Sequence, residues 1–563
     1  MTPKQWIPRG QPYQPDEEGK SGSGVPAILE HLILQRGLAQ AGELERYLQP
    51  RLRDLSDPML IPGMGPAVTR ILQAVDGSQK VCIYGDYDVD GVSSIALMRR
   101  ILQAYHLQAD CFIPKRAAEG YGLSEAAIAR CISENGKPDL IITVDCGTVS
   151  VVEIAQLAEA GIDVVVVDHH EPSPDGPPDC HALVNPKLGE QFTYLCAAGV
   201  VFKLGHALLK KRPADLDLKE LLDLVSVATI ADIVPMVEEN RLLVRHGLKR
   251  LSRTLNPGLK ALQKVTGMVG TATSMDVGYR IGPRINAAGR MEQPEDALAI
   301  LMTESREEAE SLADQLDGYN RQRQAQELLI LKQAEAMLEA NPAWSELPVI
   351  VLGSREWHPG VVGIVASRLM RKYHKPTFTV AIDEEGLGKG SGRSIEGVSL
   401  VEAIRECMDD LVAGGGHAMA AGISIREHCL DAFREHFSQY VMEQTDEQQR
   451  TPKLLYDAEI DFEQLTLGFL GEYELLQPFG SGNPQPIFVA RGVHASRSPI
   501  HMKNDHLRLA LCQDRCERNA VFFGGGSKPL PEPPWDVAFT VDRNTFRGRT
   551  SLQLIVQDIR SSD

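Results

Sequence analysis

Acids close several apolar runs in this chain. VCIY is followed by GDYDVDG, which sets Asp86, Asp88 and Asp90 at alternate positions. IITV ends in Asp145, VVVV in Asp168 with His169 and His170 behind it, and SVATIA in Asp232. In an extended chain, side chains at i, i+2 and i+4 share a face, so three carboxylates placed there repel one another and call for a cation. The alternative is a helix cap: Asp90 opens GVSSIALMRRIL, and the other two acids are solvated in a turn. An EF-hand loop also begins D-x-D-x-D-G, but it needs glutamate at its twelfth position, which here is Leu97, and a helix before it. If the acid-tipped strands are parallel neighbours, their carboxylates meet along one sheet edge. Carboxylate oxygens with imidazole suit Mn²⁺ or Mg²⁺ and serve thiolate-seeking metals poorly. Several carboxylates can hold two ions about 3.5–4 Å apart, the arrangement used for in-line displacement at phosphorus.

The elements that must position these groups alternate. VCIYGD, ADCFIP, DLIITVD, DVVVVD and ALVNP read as strands, and SIALMRRILQAY, LSEAAIARCISEN and VVEIAQLAEA as the helices between them. That order argues for a parallel sheet covered on both faces, with ligands gathering beyond the carboxyl ends of its strands. Residues 26–75 and 198–260 read as helical, and 304–340 as one or two long charged helices joining domains. Apolar runs among glycine-rich turns, LPVIVLG and TFTVAID, suggest a second α/β domain to about residue 440. Beyond the polar stretch QTDEQQRTPK, the runs HLRLALC, NAVFFG, WDVAFTVD and TSLQLIVQD suit a small β-barrel attached through a linker at 443–453.

With 563 residues the chain has room for three or four domains. No apolar run approaches the roughly 20 residues that span a bilayer, so no membrane is expected. The first 24 residues lack the apolar stretch of a signal peptide and read as a polar, partly flexible leader. The ten cysteines follow no metal-binding spacing, and Cys512 and Cys516 read as ordinary thiols, which fits a reducing cytoplasm. A net charge of −18 argues against a surface coated for duplex DNA, yet acid clusters that hold metal lower the total and leave room for a local basic groove. The tail is such an island: residues 487–563 carry eleven Lys or Arg against eight Asp or Glu. There Arg508, Phe522, Phe523, Phe546 and Arg547 offer stacking and phosphate contacts to single strands, while barrel-core packing is the competing use of the phenylalanines.

DYDVDG, TVDCG, VVDHH and TIADIVP, in this order, resemble the four metal-binding motifs of the DHH phosphoesterase superfamily. GPRINAAGR (282–290), HPGVVGIVASRL (358–369), GSGRS (390–394) and GGGH (414–417) resemble its RecJ branch, and PFGSGNPQPIF (478–488) the junction before that branch's oligonucleotide-binding barrel. The resemblance runs from about residue 80 to the C-terminus. It implies an α/β fold with a DHH-type parallel-sheet catalytic domain (76–303) and connecting helices (304–343). A second, DHH-associated α/β domain (344–442) and an OB-type β-barrel (453–563) follow, and a leader and helical region (1–75) precedes them.

The activity implied is a single-strand-specific 5′→3′ DNA exonuclease releasing 5′-mononucleotides, with single-stranded DNA, a single-strand-binding protein and a helicase as partners. By motif, Asp86, Asp88, Asp145, His169 and Asp232 are metal ligands, with Asp145 bridging two ions of Mn²⁺ or Mg²⁺. His170 sits near the scissile phosphate, and Asp90 and Asp168 orient the ligands. Arg116, Ser391 and Arg393 grip the 5′ phosphate, with Arg284 and His417 as further candidates, since glycine-rich turns admit anions and arginine adds a bidentate fork. Some members carry histidine two residues before the first motif aspartate, where this chain has Tyr84, a poor ligand that weakens one metal position. Two alternatives stand beside this reading: a phosphodiesterase for short oligonucleotides or cyclic dinucleotides, which usually lacks such a barrel, and a non-catalytic DHH-type replication factor, which tolerates loss of the acids.

Overall fold

The computed structural model describes residues 4–11, 26–38, 41–115, 119–120, 122–174, 176–527, 529–546 and 548–562. Arg116 and Arg547 lie outside these, as does most of the expected leader, and of Phe546 only the backbone is described. The chain forms two compact units. One comprises Ser56–Val234 with His246–Pro452, the other Lys4–Leu55 with Pro235–Arg245 and Lys453–Asp563.

In the first unit a five-stranded, all-parallel sheet has the order Ala109–Phe112, Val81–Gly85, Leu140–Val144, Asp163–Val167, Ala182–Val184. Its three central strands are apolar and buried almost throughout, as a sheet covered on both faces requires. Cys82 and Tyr84 pack with Ala127, Cys131, Ile154 and Leu157 from the helices Glu125–Asn135 and Val151–Glu159. Because side chains alternate along a strand, Ile83 faces the opposite layer, where Val89–Ala104 covers the sheet. The alternation of runs and helices in the sequence is therefore the sheet and its two layers.

A single 35-residue helix, Arg306–Ala340, leads to the second sheet of this unit. That sheet has the order Ala413–Gly416, Ala420–Arg426, Leu387–Arg393, Thr377–Ile382, Ile350–Ser354, antiparallel except for the last pair. Ile330, Ala334 and Leu338 of the long helix pack against Val361, Val365 and Leu369 of the helix Pro359–Tyr373.

The second unit is built on a seven-stranded sheet ordered Ala458–Glu459, Phe488–Ala495, Trp535–Phe546, Arg549–Ser561, Cys516–Phe522, His506–Gln513, Ile500–Met502. Phe488–Ala495 also pairs with His506–Gln513, which partly closes the sheet into a barrel. Its core joins Phe488, Leu509, Phe539 and Leu554 to Ile28, Leu29, Leu32 and Ile33 of the helix Ala27–Leu34. Gln5–Pro8 pairs in parallel with Lys453–Tyr456. Two expectations need correction here. Residues 5–8 are a strand within the stretch read as a leader, and the described residues among 4–55 fold with the C-terminal barrel instead of forming an N-terminal region of their own. Their apolar helix face is buried by strands more than 400 positions away, which local periodicity cannot reveal.

Candidate metal centre

The three acids of DYDVDG do not lie along an extended strand. The strand ends at Gly85, Asp86 follows it, and Asp88 is the N-cap of the helix Val89–Ala104, its Oδ1 accepting from the N–H groups of Asp90 (2.9 Å) and Gly91 (3.1 Å). The cap is thus Asp88, not the Asp90 of the alternative reading, and Asp90 lies within the first turn. Gly91 makes this possible, because a Cβ there would sit 2.3 Å from the Asp86 carbonyl oxygen. Asp90 points away from solvent, and its two oxygens accept from Ala197 N (2.7 Å) and Ala198 N (2.9 Å) at the start of the helix Ala197–Lys211.

The neighbouring strands deliver the rest. Asp145 follows Leu140–Val144 with φ 61°, a left-handed conformation uncommon outside glycine, and its N–H donates to Val167 O at 3.1 Å. Asp168 follows Asp163–Val167. Its oxygens accept from His169 N (2.7 Å) and Thr148 N (3.0 Å), and it holds His170 Nδ1 at 2.7 Å. Asp232 is the C-cap of the helix Leu222–Ala231. The structure gathers Asp86, Asp88 and Asp145 into one group with ligand atoms within 4.8 Å, Asp90, His169 and Asp232 into a second, and Asp145, Asp168, His169 and His170 into a third. His169 Nε2 connects them, 3.2 Å from Asp145 Oδ1 and 3.7 Å from both Asp90 Oδ2 and Asp232 Oδ2.

Burial of so many like charges dominates the electrostatics. Desolvation, then the Asp88 charge, raises Asp90 to about 7, and desolvation with Asp90 and Asp88 raises Asp232 to about 9. Asp145 is raised well above the carboxylate range by burial and by Asp90, Asp88, Asp86 and Asp232. Burial lowers His169 to about 4 and keeps its imidazole neutral. Burial also opposes charge on His170, but the Asp168 hydrogen bond prevails and holds it at about 9, while Asp168 itself is lowered by that partner against its own burial. The residues fit a hard divalent cation. Asp232 Oδ2 is buried without a hydrogen-bond partner, the donors are oxygens and a neutral imidazole, and the adjacent thiol, Cys146, donates to Val144 O instead.

Tyr84 is fully buried, and its hydroxyl donates to Gly122 O at 2.9 Å while its ring packs on Phe112. Tyr84→Phe is therefore expected to cost about 1 kcal/mol of stability, the usual net value of such a bond, and to leave the metal requirement of the enzyme unchanged. Thermal unfolding and a metal titration of activity check this; a shifted titration would place the phenol in the centre after all.

On the other sheet, Ser391 and Arg393 come together: Arg393 Nη1 donates to Ser391 Oγ at 3.1 Å. Gly363 leaves them room, since a Cβ there would lie 2.8 Å from Ser391 Oγ and 3.4 Å from Arg393 Nη2. His417 is exposed on the adjacent hairpin turn, its N–H donating to Ala420 O, and Ala420 is the strand partner of Arg393. Arg284 is engaged elsewhere, with Asp317 Oδ1 at 2.8 and 2.9 Å and with Arg280 O at 2.7 Å. Sequence reasoning passed over Asn185, which donates to Thr148 Oγ1 and to His170 O, both at 2.9 Å, and so steadies the Asp168–His170 pair. Its signal was its place at the end of ALVNP, a strand run like the acid-tipped ones. Asn286 was missed as well; within GPRINAAGR, it accepts from Val89 N at 3.2 Å.

Parallel strands ending in this carboxylate and histidine cluster, with a second α/β sheet carrying Ser391 and Arg393, define the DHH class of phosphoesterases. Residues 80–229 match the DHH family N-terminal domain, 346–443 the DHHA1 domain and 456–558 the RecJ OB domain. The single-stranded-DNA-specific exonuclease RecJ of Bacillus subtilis is 37% identical over 96% of this chain and 68% of its own. That of Dickeya dadantii is 32% identical over 97% and 98%. The crystal structure of RecJ in complex with Mn²⁺ from Thermus thermophilus superposes with a TM-score of 0.84 at 30% identity, covering 99% of this chain and 80% of that one. The chain belongs to the RecJ family of single-stranded-DNA-specific exonucleases.

Proposed function

We propose that this protein is a metal-dependent exonuclease that degrades single-stranded DNA from the 5′ end to 5′-mononucleotides, in the cytoplasm and in the service of repair and recombination. The observation that carries the reading is the convergence of Asp86, Asp88, Asp145, His169 and Asp232 from separate strand and helix ends onto adjoining ligand groups, in a member of this family. Those five side chains would hold Mn²⁺ or Mg²⁺, and a bound ion would supply charge neutralisation at the phosphate and a more acidic water. Asp145 and His169 belong to more than one group and so set the spacing between positions. Asp90 is fixed by two backbone N–H groups and orients its neighbours, and Asp168 fixes the ring of His170 so that it faces charge developing at the scissile phosphate.

Ser391 and Arg393, with Arg116, receive the terminal phosphate, and His417 lies on the hairpin beside them. Arg284 keeps its ion pair with Asp317 and contributes through that anchored position. The barrel, which matches the RecJ OB domain, favours long strands over the dinucleotides of the alternative reading, and retention of all five ligands disfavours a binding-only factor. A single-strand-binding protein and a helicase supplying unwound ends are the partners this activity calls for.

With Mn²⁺ present, linear single strands should lose a 5′ label first as a mononucleotide, and covalently closed circles should persist. Cutting of circles would make the protein an endonuclease, and release from the 3′ end would reverse the assigned polarity.

A further inference from the structure

The segment before GPRINAAGR has a feature that the metal chemistry does not use. Thr273 caps a short turn through a reciprocal bond with Asp276, and the chain then runs through a π-helical turn, Val277–Ile281, into the helix Gly282–Arg290. A π-turn inserts an extra residue and often marks a functional position. Val277 and Ile281 are fully buried and anchor it, whereas Tyr279 between them is 73% exposed. The turn is held further by Arg284 Nη1 on Arg280 O (2.7 Å) and by Arg280 on Asp276 (3.1 Å).

This turn lies against the end of the helix that presents Asp232. A Cβ at Gly282 would be 3.4 Å from Ala231 Cβ, and one at Gly278 would be 3.9 Å from Ile230 Cγ2. The residue after Asp232, Ile233, is likewise 73% exposed, with φ 61°. The other end of the Gly282–Arg290 helix touches the first acid motif, since a Cβ at Gly289 would lie 3.0 Å from Tyr87 O. Ile233, next in the chain to Asp232, and Tyr279, on a turn packed against the last residues of the same helix, are thus both open to solvent.

We propose that Tyr279, with Ile233, is a platform on which a nucleobase next to the scissile phosphate stacks, so that the centre accepts unpaired strands. The proposal rests on the exonuclease reading above. Neither side chain carries charge, and Arg280 on the same turn pairs with Asp276, so the contact these two residues offer a nucleic acid is an apolar one. Stacking needs no charge, accepts any base, and is closed to bases already stacked in a duplex. A ring on an anchored turn also loses little freedom on contact.

The test is single-turnover cleavage, at saturating Mn²⁺, of short strands carrying one abasic nucleotide at successive positions from the 5′ end, by the full-length wild type, Tyr279→Phe and Tyr279→Ala. Stacking of one base predicts a rise of about tenfold in KM for Tyr279→Ala, with Tyr279→Phe near wild type because the ring is kept. At one position, the abasic nucleotide should weaken wild-type binding by a similar factor and cost Tyr279→Ala nothing more. Wild-type constants for Tyr279→Ala, or an abasic penalty that adds in full to the substitution, would overturn the platform while leaving the exonuclease reading in place. A wild type that cuts no single strand would overturn the exonuclease reading, and the platform with it.

Discussion

Asp145→Asn is expected to lower cleavage of single-stranded DNA by at least about 10²–10³-fold at saturating Mn²⁺, the scale on which a preorganised electrostatic contact acts in catalysis. Asp145 is the acid shared between ligand groups, 3.2 Å from His169 Nε2 and buried among Asp86, Asp88, Asp90 and Asp232. Asparagine keeps the shape of the side chain and tolerates the left-handed backbone at φ 61°, so loss of the carboxylate is separated from backbone strain. A second readout follows from linkage. A cation that binds only the folded chain raises its unfolding temperature, so the wild type should gain thermal stability on adding Mn²⁺ and Asp145→Asn should gain much less. Without the ion the variant should melt no lower than the wild type, since one of several mutually repelling acids has been removed. Wild-type turnover by this variant would sink the shared-ligand assignment.

The sequence made the acids visible because strands in a parallel sheet end together, and a motif read at each end locates the edge where they meet. VCIYGD, IITVD and VVVVD are adjacent in the sheet as that argument requires. The division of labour within DYDVDG was not legible in the same way. Whether Asp88 or Asp90 caps the helix depends on how closely the first turn approaches Asp86, which Gly91 permits and composition does not disclose. The fate of Arg284 was hidden for another reason. Its partner Asp317 lies 33 residues on, within a stretch read only as a charged helix. The basic excess in the tail shrinks by the same mechanism: Arg491 pairs with Asp536 and Glu459, Arg497 with Glu517, Arg543 with Glu474 and Arg560 with Asp536. Of the candidates there, Phe522 is half-buried against the barrel core, whereas Phe523 is 59% exposed, edge-on to His506. Of the two candidate phenylalanines whose side chains are described there, Phe523 is the one open to solvent.

The barrel cannot be removed by cutting the chain at the linker alone, and this sets the second large effect. A chain ending at Pro452 loses the strands that cover Ile28, Leu29, Leu32 and Ile33, which are 0–7% exposed. At about 1.5–3 kcal/mol for each buried side chain, roughly 6–12 kcal/mol of burial is forfeited, comparable to the whole stability of a typical domain. Arg241 loses more specific partners, the carbonyls of Leu475 (2.8 Å) and Gln477 (3.0 Å), while Tyr47, on which its guanidinium stacks at 3.6 Å, is left on an uncovered segment. The truncated chain should therefore expose an apolar helix, bind a hydrophobic dye and precipitate at concentrations where the full chain stays in solution. Removing residues 1–55 as well takes away that helix together with its cover and leaves of the second unit only Pro235–Arg245, most of it within the helix Glu238–Leu251 that continues into the first unit. The chain 56–452 should therefore stay more soluble than 1–452 and melt cooperatively. A soluble 1–452 chain with a full-length melting profile would show that residues 26–55 do not depend on the barrel. The doubly trimmed chain is the proper reference for DNA binding. Each phosphate contact on a single strand changes affinity by about 0.7 log units per tenfold salt, so its shallower salt slope against the full chain counts the phosphates that the removed unit neutralises. Cleavage of a short oligonucleotide by 56–452 would then separate the chemistry proposed for Asp86, Asp88, Asp145, His169 and Asp232 from the capture of long strands.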